Sequence, residues 1–321
     1  MAEIGQDIIQ AKKFLESGKL VAIPTETVYG LGGNALNPSA VASIFETKNR
    51  PSFDPLIIHT SSLERVNDFV ASFPDPLRKL AEAFWPGPLT LLLPRKKIIP
   101  DLVTSGLDRV AVRVPKHPLT SELLASLDFP LAAPSANPFG YISPTTAMHV
   151  ESQLGGKIPY ILDGGNCQVG LESTIVGMEE EKIVIYRLGG LEISKIEKIV
   201  GPVHIRDHSS SNPQAPGLLE SHYAPRKPFV LGDLDSLVEK YSRENKRFAV
   251  MSLSRSFDQI GEGLQIQLSE LGDLNQAAQK LFASMRFLDE QEVDVILAEK
   301  MPAIGLGNAI NDRLKRAAAE V

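Results

Sequence analysis

Two cationic side chains, Lys48 and Arg50, lie between two short apolar segments of this chain, at 20–23 and 56–59. Each segment is predicted to be a buried strand, because it is short, adjoins a proline and is rich in branched residues. An ammonium and a guanidinium group held in fixed geometry can bind a polyphosphate. Because a KxR pair is more often a solvated helix end, it indicates a phosphate site only together with partners elsewhere in the chain.

Three further side chains could complete such a site. Ser135 and Asn137, in the segment AAPSANPFG after a predicted strand, could supply hydroxyl and amide donors, although ordinary turn chemistry also explains an SxN sequence. Arg113 lies in VAVRVP, where strand alternation places Val112 and Val114 on one face and the guanidinium on the other. This alternation suggests that Arg113 faces a cleft, unless it simply lies at the surface.

The elements that must position these side chains alternate between strand and helix, which predicts an α/β fold. Some strands follow each other too closely for helical crossovers, so the sheet is expected to be mixed. Amphipathic helices are predicted from Ile4 to Gly18 and from Asn37 to an end near residues 48–51, and the second would place Lys48 and Arg50 at or just beyond its end. Other helices are predicted at 63–69, 76–84, 119–127, 145–154 and 194–200, and other strands at 89–93, 109–114, 130–133, 160–163, 173–178 and 182–187.

A change in composition divides the chain into domains at 1–200 and 229–321. Between them, residues 201–228 contain prolines, serines and histidines without sustained periodicity, which is typical of a linker. Strands and helices alternate again in the second domain, which predicts a small Rossmann-like α/β fold. Its strands are predicted at 229–231, 248–253 and 293–297, and its helices at 234–242, 275–289 and 309–319.

Composition and charge argue against several classes of protein. The net charge of -6 disfavours polyanion binding through bulk charge, although a local basic cleft is still allowed. A single cysteine, Cys167, cannot form an internal disulfide, and no CxxC or HExxH spacing occurs, so we expect a reducing cytoplasm and no structural zinc. The first residues lack an apolar signal core, and no apolar run approaches the ~18 residues of a membrane span.

Five long motifs along roughly the first 190 residues resemble the YrdC-like family. They are KNRPSFDPLIIH, AVRVP, PLAAPSANPFGYISPT, GLESTIV and YRLG, in that order. With a linker and a small C-terminal domain after them, the chain is similar to the long form of the family, the L-threonylcarbamoyladenylate synthases. The KxR and SxN sequences together are the hallmark tetrad of the family. The fold that the resemblance implies is a twisted mixed sheet with helices, followed by a linker and the Rossmann-like domain.

The activity that the resemblance implies is the condensation of L-threonine, bicarbonate or CO2, and ATP to L-threonylcarbamoyladenylate and pyrophosphate. The product would feed a threonylcarbamoyl modification of tRNA, so downstream tRNA-modification proteins are expected partners. Mg²⁺ is expected to arrive with ATP, bound mainly by phosphate oxygens and water, and no metal ligand is assigned to the chain.

The resemblance also assigns roles to individual residues. The catalytic residues are expected to be Lys48, Arg50, Ser135 and Asn137. ATP is expected to contact Arg50, Asp54, Arg109, Ser135, Ser143, Arg187 and Tyr223, with Tyr223 in a lid formed by APGLLESHYAP at 215–225. Threonine is expected to contact Thr27, His59, Arg113, the backbone at Ala133, and Ser173.

Two other functions stay open at this point. One is a double-stranded RNA-binding module without turnover, since the YrdC-like fold is similar to proteins that hold RNA on a basic concave face. The other is a carbamoyl-adenylate-forming enzyme of the hydrogenase-maturation type, whose acylphosphatase-like and zinc-finger regions are not found in this sequence.

Overall fold

The computed structural model of the chain describes residues 1–206, 222–261 and 263–319. These residues fall into two units. Of the described residues, the first unit contains 1–139, 143–168 and 172–206, and the second contains the segments 140–142 and 169–171 together with the residues from 222 onwards. The predicted linker at 201–228 lies partly outside the described residues. Its first part forms a short strand in the first unit.

The first unit is built on a twisted mixed sheet, in which eleven described strands follow the order β1-β8-β2-β3-β7-β4-β6-β5-β9-β10-β11. The sheet contains both parallel pairs, such as β4 with β6, and antiparallel pairs, such as β2 with β3. The strands are β1 (Glu3–Gly5), β2 (Val21–Ile23), β3 (Gly30–Asn34), β4 (Ile57–His59), β5 (Leu89–Pro94), β6 (Arg109–Arg113), β7 (Leu131–Ala132), β8 (Tyr160–Leu162), β9 (Thr174–Glu179), β10 (Lys182–Arg187) and β11 (His204–Ile205).

Eight helices of the first unit are described. They are α1 (Ile8–Glu16), α2 (Pro38–Lys48), α3 (Leu63–Val66), α4 (Asp75–Phe84), α5 (Asp101–Thr104), α6 (Pro118–Ser126), α7 (Ala147–Leu154) and α8 (Ile193–Val200). Apolar side chains of the strands and of several helices form the buried core, which includes Leu31, Ile58, Leu80, Val112 and Val150. The predicted α/β class with a mixed sheet is confirmed.

The second unit has a separate four-stranded sheet in the order β12-β15-β13-β14, and its three strand pairs are parallel. Its strands are β12 (Phe229–Leu231), β13 (Phe248–Ser252), β14 (Gln265–Gln267) and β15 (Val295–Ala298), and its helices are α9 (Leu234–Arg243), α10 (Leu274–Glu290) and α11 (Gly307–Ala317). Parallel strands require crossover connections, which the helices provide. A second α/β domain was predicted, although β14 was not.

The first predicted helix is wrong at its beginning. Ile4 lies in β1, which pairs in parallel with β8, and the helix begins only after Asp7. The carboxylate of Asp7 accepts hydrogen bonds from the backbone N–H groups of Ile9 and Gln10, which caps the helix at that point. A local cap therefore decides the boundary that apolar periodicity alone placed too early.

Strand β3 was not predicted, because its sequence GLGGN is rich in glycine, a residue depleted in strands. Here glycine allows close approach of neighbouring chains. A Cβ added at Gly33 would lie 2.8 Å from a side-chain carbon of Leu20, and one at Gly30 would lie 3.2 Å from the Cβ of Ala133. The glycines therefore bring β3 close to the segment that carries Ser135 and Asn137.

The residues that begin and end α2 place Lys48 and Arg50 at or just beyond the end of this helix, as predicted. The side chain of Asn37 caps the start of α2, with its Oδ1 3.0 Å from the backbone N of Ser39, and Pro38 occupies the first turn. The helix ends at Lys48, and Asn49 adopts a left-handed conformation with φ of 54°. Arg50 follows on the turn that leads towards β4.

None of the helices that the structure describes combines the length and the apolar character needed to cross a bilayer.

A Gly87→Ala substitution is expected to lower the free energy of unfolding by about 2–4 kcal/mol. An added Cβ would lie 2.3 Å from the backbone oxygen of Phe84, so the backbone must move. Urea unfolding followed by the fluorescence of Trp85, the single tryptophan, measures the change. Gly156→Ala is the matched control, since nothing lies within 4 Å of the added atom. Equal stability of the two variants would contradict the prediction.

Candidate active site

The loop between β2 and β3 holds two threonine hydroxyls in a buried turn. The Oγ1 atoms of Thr25 and Thr27 lie 2.8 Å apart, and the Thr25 hydroxyl donates to the backbone oxygen of Val28 at 2.6 Å. The backbone N–H of Thr27 in turn donates to Thr25 Oγ1 at 3.1 Å. This turn fixes Thr27, which was predicted to contact threonine, and it also fixes Glu26 between the two threonines.

The KxR and SxN sequences are brought together by Lys48. Its buried Nζ donates to the backbone oxygens of Ser135 at 2.6 Å and of Asn137 at 2.5 Å. The backbone N–H of Phe139 donates to the backbone oxygen of Lys48 at 2.8 Å, so both ends of the residue attach to the same loop. An ammonium group has three N–H donors, and these two contacts leave one for a ligand.

Burial holds the pKa of Lys48 well below its usual range; the charge of Arg50 adds to this effect and Asp54 opposes it. A phosphate ligand would favour the charged ammonium, because an opposite charge at close range stabilises it. The environment of Lys48 is therefore suited to an anion that arrives with the substrate.

Arg50 is fixed by the loop that follows it. Its Nε donates to the backbone oxygen of Asp54 at 3.0 Å, and its Nη2 donates to that of Pro55 at 2.8 Å. The same Nη2 lies 2.9 Å from Asp54 Oδ2, and both side chains are buried. Asp54 was predicted to contact ATP, and its contact in the structure is with Arg50. The pair presents the guanidinium in one orientation beside Lys48.

Backbone hydrogen bonds define the loop of Ser135 and Asn137. Ser135 forms a bridge with Gly30 of β3, and the N–H of Ala136 donates to the backbone oxygen of Tyr29 at 2.8 Å. The side-chain N–H of Asn137 donates to the backbone oxygen of Pro138 at 2.9 Å. Ala133, at the start of the loop, donates its N–H to Ile57. Lys48, Ser135 and Asn137 therefore belong to one hydrogen-bonded group, and the guanidinium of Arg50 lies 5.8 Å from the ring centroid of Phe139 in the same loop.

A second buried group contains His59 and Arg113. The two residues are direct partners in the parallel pair of β4 and β6, so their side chains lie on the same face of the sheet. Arg113 Nε donates to the backbone oxygen of Gly87 at 3.2 Å, and Nη2 lies 2.8 Å from Glu26 Oε1. Sequence analysis predicted Arg113 and His59 as threonine contacts but gave Glu26 no role.

Burial, reinforced by the charge of Arg113, lowers the pKa of His59 to about 3. The ring is therefore neutral at physiological pH. The buried Nδ1 atom makes no hydrogen bond of normal geometry within the described residues. The backbone at Ile57 and Leu131 nevertheless interacts with the ring and partly opposes the fall in its pKa.

His59 is expected to make the protein less stable in weak acid. In the unfolded chain the ring gains a proton below about pH 6.5, whereas the folded protein resists protonation down to a pKa of about 3. This contribution to stability is complete above about pH 6.5 and is lost as the pH falls towards 3, by up to about 1.4 kcal/mol per pH unit. Urea unfolding at several pH values should show a shallower pH slope for His59→Gln. The exposed His204→Gln control should keep the parent slope; equal slopes for both variants would refute the assignment.

Ser173 and Arg187 form a third group, beside β5. The Ser173 hydroxyl lies 2.7 Å from Thr90 Oγ1, and Arg187 Nη2 donates to that hydroxyl at 3.2 Å and to the backbone oxygen of Ser173 at 2.9 Å. Thr174 points elsewhere, since its hydroxyl donates to the backbone oxygen of Leu191 at 2.8 Å. Ser143 donates to Glu172 Oε1 at 2.5 Å in the same buried region.

These groups can be compared with known proteins. A family model named for Sua5, YciO and YrdC, described as "Telomere recombination", matches residues 13–189. The chain belongs to the Sua5/YciO/YrdC family. A second model, described as "Threonylcarbamoyl-AMP synthase, C-terminal domain", matches residues 191–319. The resemblance to the long, two-domain form of the family is thus confirmed.

Relatives in the family cover nearly the whole chain. A protein of Pyrococcus abyssi named threonylcarbamoyl-AMP synthase is 41% identical, over 96% of this chain and 92% of its own length. One of Bacillus subtilis with the same name is 38% identical, over 97% of this chain and 92% of its own length. The crystal structure of P. abyssi Sua5 complexed with L-threonine matches with a TM-score of 0.93 and 39% identity, over 99% of this chain and 97% of that one.

Arg109 and Tyr223 were predicted from the family motifs to contact ATP. In the structure their described contacts are with residues outside the tetrad. Arg109 is the first residue of β6, and its guanidinium donates to Tyr186 Oη at 2.8 Å. None of the described contacts joins Arg109 to the tetrad. In the second unit, Tyr223 stacks on Phe282 with ring centroids 5.5 Å apart. The preceding lid residues, 215–221, lie outside the described residues, and the nucleotide roles of Arg109 and Tyr223 stay predictions.

Proposed function

We propose that this protein is an L-threonylcarbamoyladenylate synthase, which condenses L-threonine, bicarbonate or CO2, and ATP to threonylcarbamoyl-AMP and pyrophosphate. The observation that carries the proposal is the contact of Lys48 with the Ser135–Asn137 loop. This contact joins Lys48 to the backbone of the loop that carries Ser135 and Asn137, and Arg50, two residues further along the chain, is held in place by Asp54. Near-full-length relatives that bear the name threonylcarbamoyl-AMP synthase support it.

The first step requires a carbamate. The ammonium group of threonine first releases a proton to give a neutral amine. The amine nitrogen then forms a C–N bond, either with CO2 and release of a second proton or with bicarbonate and loss of water, to give an anionic N-carboxylate. Arg113 is suited to bind the α-carboxylate of threonine, because a guanidinium can bind a carboxylate through two hydrogen bonds. The neutral His59 ring offers a polar atom that does not repel the cationic guanidinium beside it.

The second step transfers the adenylyl group. A carbamate oxygen attacks the α-phosphorus of ATP in line, the new P–O bond forms, and the bond to pyrophosphate breaks. Lys48 and Arg50 stabilise the negative charge that develops on the phosphate oxygens, and Ser135 and Asn137 orient the chain of phosphates. The chemistry needs no protein nucleophile. Burial raises the pKa of the Cys167 thiol to about 12, which makes that residue unsuited to the role.

Magnesium is proposed to enter as part of the substrate, bound to ATP. Within the described part of the chain, no group of three or more histidine, cysteine, aspartate or glutamate side chains could hold a metal ion. The carboxylate of Asp54 is paired with Arg50. Phosphate oxygens and water would therefore supply most of the Mg²⁺ ligands. We further propose that the product passes to tRNA-modification proteins.

Pyrophosphate release tests the proposed function. The purified protein should release pyrophosphate from Mg-ATP only when threonine and bicarbonate are both present, and omission of either should abolish release. Mass spectrometry of the reaction should detect the mixed anhydride of AMP and N-carboxythreonine. Release that does not depend on threonine would refute the proposal, and salt-dependent RNA binding without any pyrophosphate release would favour the RNA-binding alternative.

A further inference from the structure

Glu26 is a buried carboxylate in the loop between β2 and β3, with 5% of its surface exposed. Its Oε1 lies 2.8 Å from Arg113 Nη2, and its Oε2 accepts a hydrogen bond from the backbone N–H of Lys116 at 3.0 Å. Buried charges are stable only when they are paired and their remaining valences are bonded. Glu26 Oε2 is hydrogen-bonded, and Oε1 is in ion-pair contact with Arg113 without the geometry of a hydrogen bond.

The contacts of Glu26 determine how Arg113 is oriented. One edge of the guanidinium is constrained at two points, by the hydrogen bond from Nε to the backbone oxygen of Gly87 and by the ion-pair contact of Nη2 with Glu26, which lacks hydrogen-bond geometry. Two constraints fix the plane of a rigid, planar group. The structure describes no protein partner for the third nitrogen, Nη1, so this side of the group is left for a ligand.

Charge balance is a second effect of the ion pair between Glu26 and Arg113. A lone guanidinium buried beside the neutral His59 would leave an uncompensated charge before any substrate bound, whereas Glu26 makes the empty site neutral. Threonine as a free amino acid also carries no net charge. A neutral site that presents one fixed guanidinium can therefore accept the amino-acid carboxylate without a large change in total charge.

We propose that Glu26 is a positioning residue, which holds Arg113 in the orientation that binds the carboxylate of the amino-acid substrate. The inference rests on the proposed function, because it assumes that Arg113 binds that carboxylate. Glu26 acts through Arg113 and touches neither the phosphates nor the reacting carbamate. Its effect therefore belongs to threonine binding and not to the adenylyl transfer.

The test is steady-state kinetics of pyrophosphate release for Glu26→Gln, which removes the charge and keeps the size of the side chain. We expect the KM for threonine to rise about 10- to 100-fold, with kcat and the KM for ATP within about threefold of the parent. The control Glu239→Gln removes an exposed carboxylate that is paired with Arg243 on α9, and it should leave both KM values unchanged. Equal changes in both KM values for Glu26→Gln would overturn the inference, as would no change in either.

A double mutant separates positioning from general structural damage. If Glu26 acts through Arg113, adding Glu26→Gln to Arg113→Gln should raise the threonine KM no further, whereas independent effects would multiply and would overturn the inference. Should Glu26→Gln not fold, Glu26→Asp, which keeps the charge, takes its place in both comparisons. Calorimetric titration of the parent protein with L-threonine distinguishes failure of the proposed function from failure of the role proposed for Glu26. Parent protein that neither binds threonine nor releases pyrophosphate refutes the proposed function, and parent that does both while Glu26→Gln matches it refutes only the role of Glu26.

Discussion

A Lys48→Met variant is expected to release pyrophosphate about 10²- to 10³-fold more slowly than the parent protein at saturating substrates. The substitution removes a positive charge from the proposed phosphate site. It also removes the two hydrogen bonds to Ser135 and Asn137 that hold the SxN loop, so the loss affects two parts of the tetrad at once. Methionine retains much of the length and apolar volume of the lysine stem, which limits packing changes.

Lys157→Met is the matched control for this variant. Lys157 also donates from its Nζ to a backbone oxygen, that of Thr47 in the same helix α2 as Lys48, but its side chain is exposed. Turnover by this control should stay within about twofold of the parent, since surface contacts of this kind contribute little. A Lys48→Met variant with parental kcat would show that the ammonium has no part in the reaction, whatever its effect on stability.

Local sequence signals predicted those parts of the site that depend on neighbouring residues. Helix α2 has a side-chain cap at Asn37 and a proline in its first turn, and Pro51 limits how far it can continue, so its end could be placed near residues 48–51 without tertiary information. The left-handed conformation of Asn49, which the structure shows, ends the helix at Lys48. Strand β6 likewise has the predicted alternation around Arg113. The position of Arg50 on the turn after the helix followed directly.

Long-range pairing could not be predicted in the same way. Lys48 contacts Ser135 and Asn137 across 87 and 89 residues of sequence, and only the family motifs suggested that the two segments meet. The contact of Glu26 with Arg113 depends on the loop geometry after β2 and on the register of the central strands, and no motif marked it. Strand β3 was missed because glycine has low strand propensity, although its close packing against β2 and Ala133 requires small residues. The Lys48 contacts, the Glu26 contact and strand β3 all depend on packing between segments that are distant in sequence, so no single segment predicts them.

An Arg50→Met variant should lose both stability and activity. Removal of the guanidinium leaves Asp54, which is fully buried, without its ion-pair partner Arg50, and breaking a buried pair in this way costs about 3–5 kcal/mol. Pyrophosphate release should also fall, by at least about 10²-fold, because one of the two cations at the proposed phosphate site is gone. Urea unfolding followed by Trp85 fluorescence reports the stability of the first unit, which contains Trp85 as well as Arg50 and Asp54.

The double variant Arg50→Met/Asp54→Asn separates the two effects. It removes the charge left by the first substitution and should regain part of the lost stability, because replacing both partners is less costly than removing one. The rest stays lost, since the hydrogen bonds of the guanidinium to the backbone oxygens of Asp54 and Pro55 are absent in both variants. Activity should not return, because the cation is still missing. The control Arg243→Met breaks an exposed ion pair with Glu239 of the same i,i+4 spacing, and it should cost less than about 1 kcal/mol. Recovery of pyrophosphate release in the double variant would mean that Arg50 serves only to neutralise Asp54, and the phosphate site would then depend on Lys48 and the SxN loop alone.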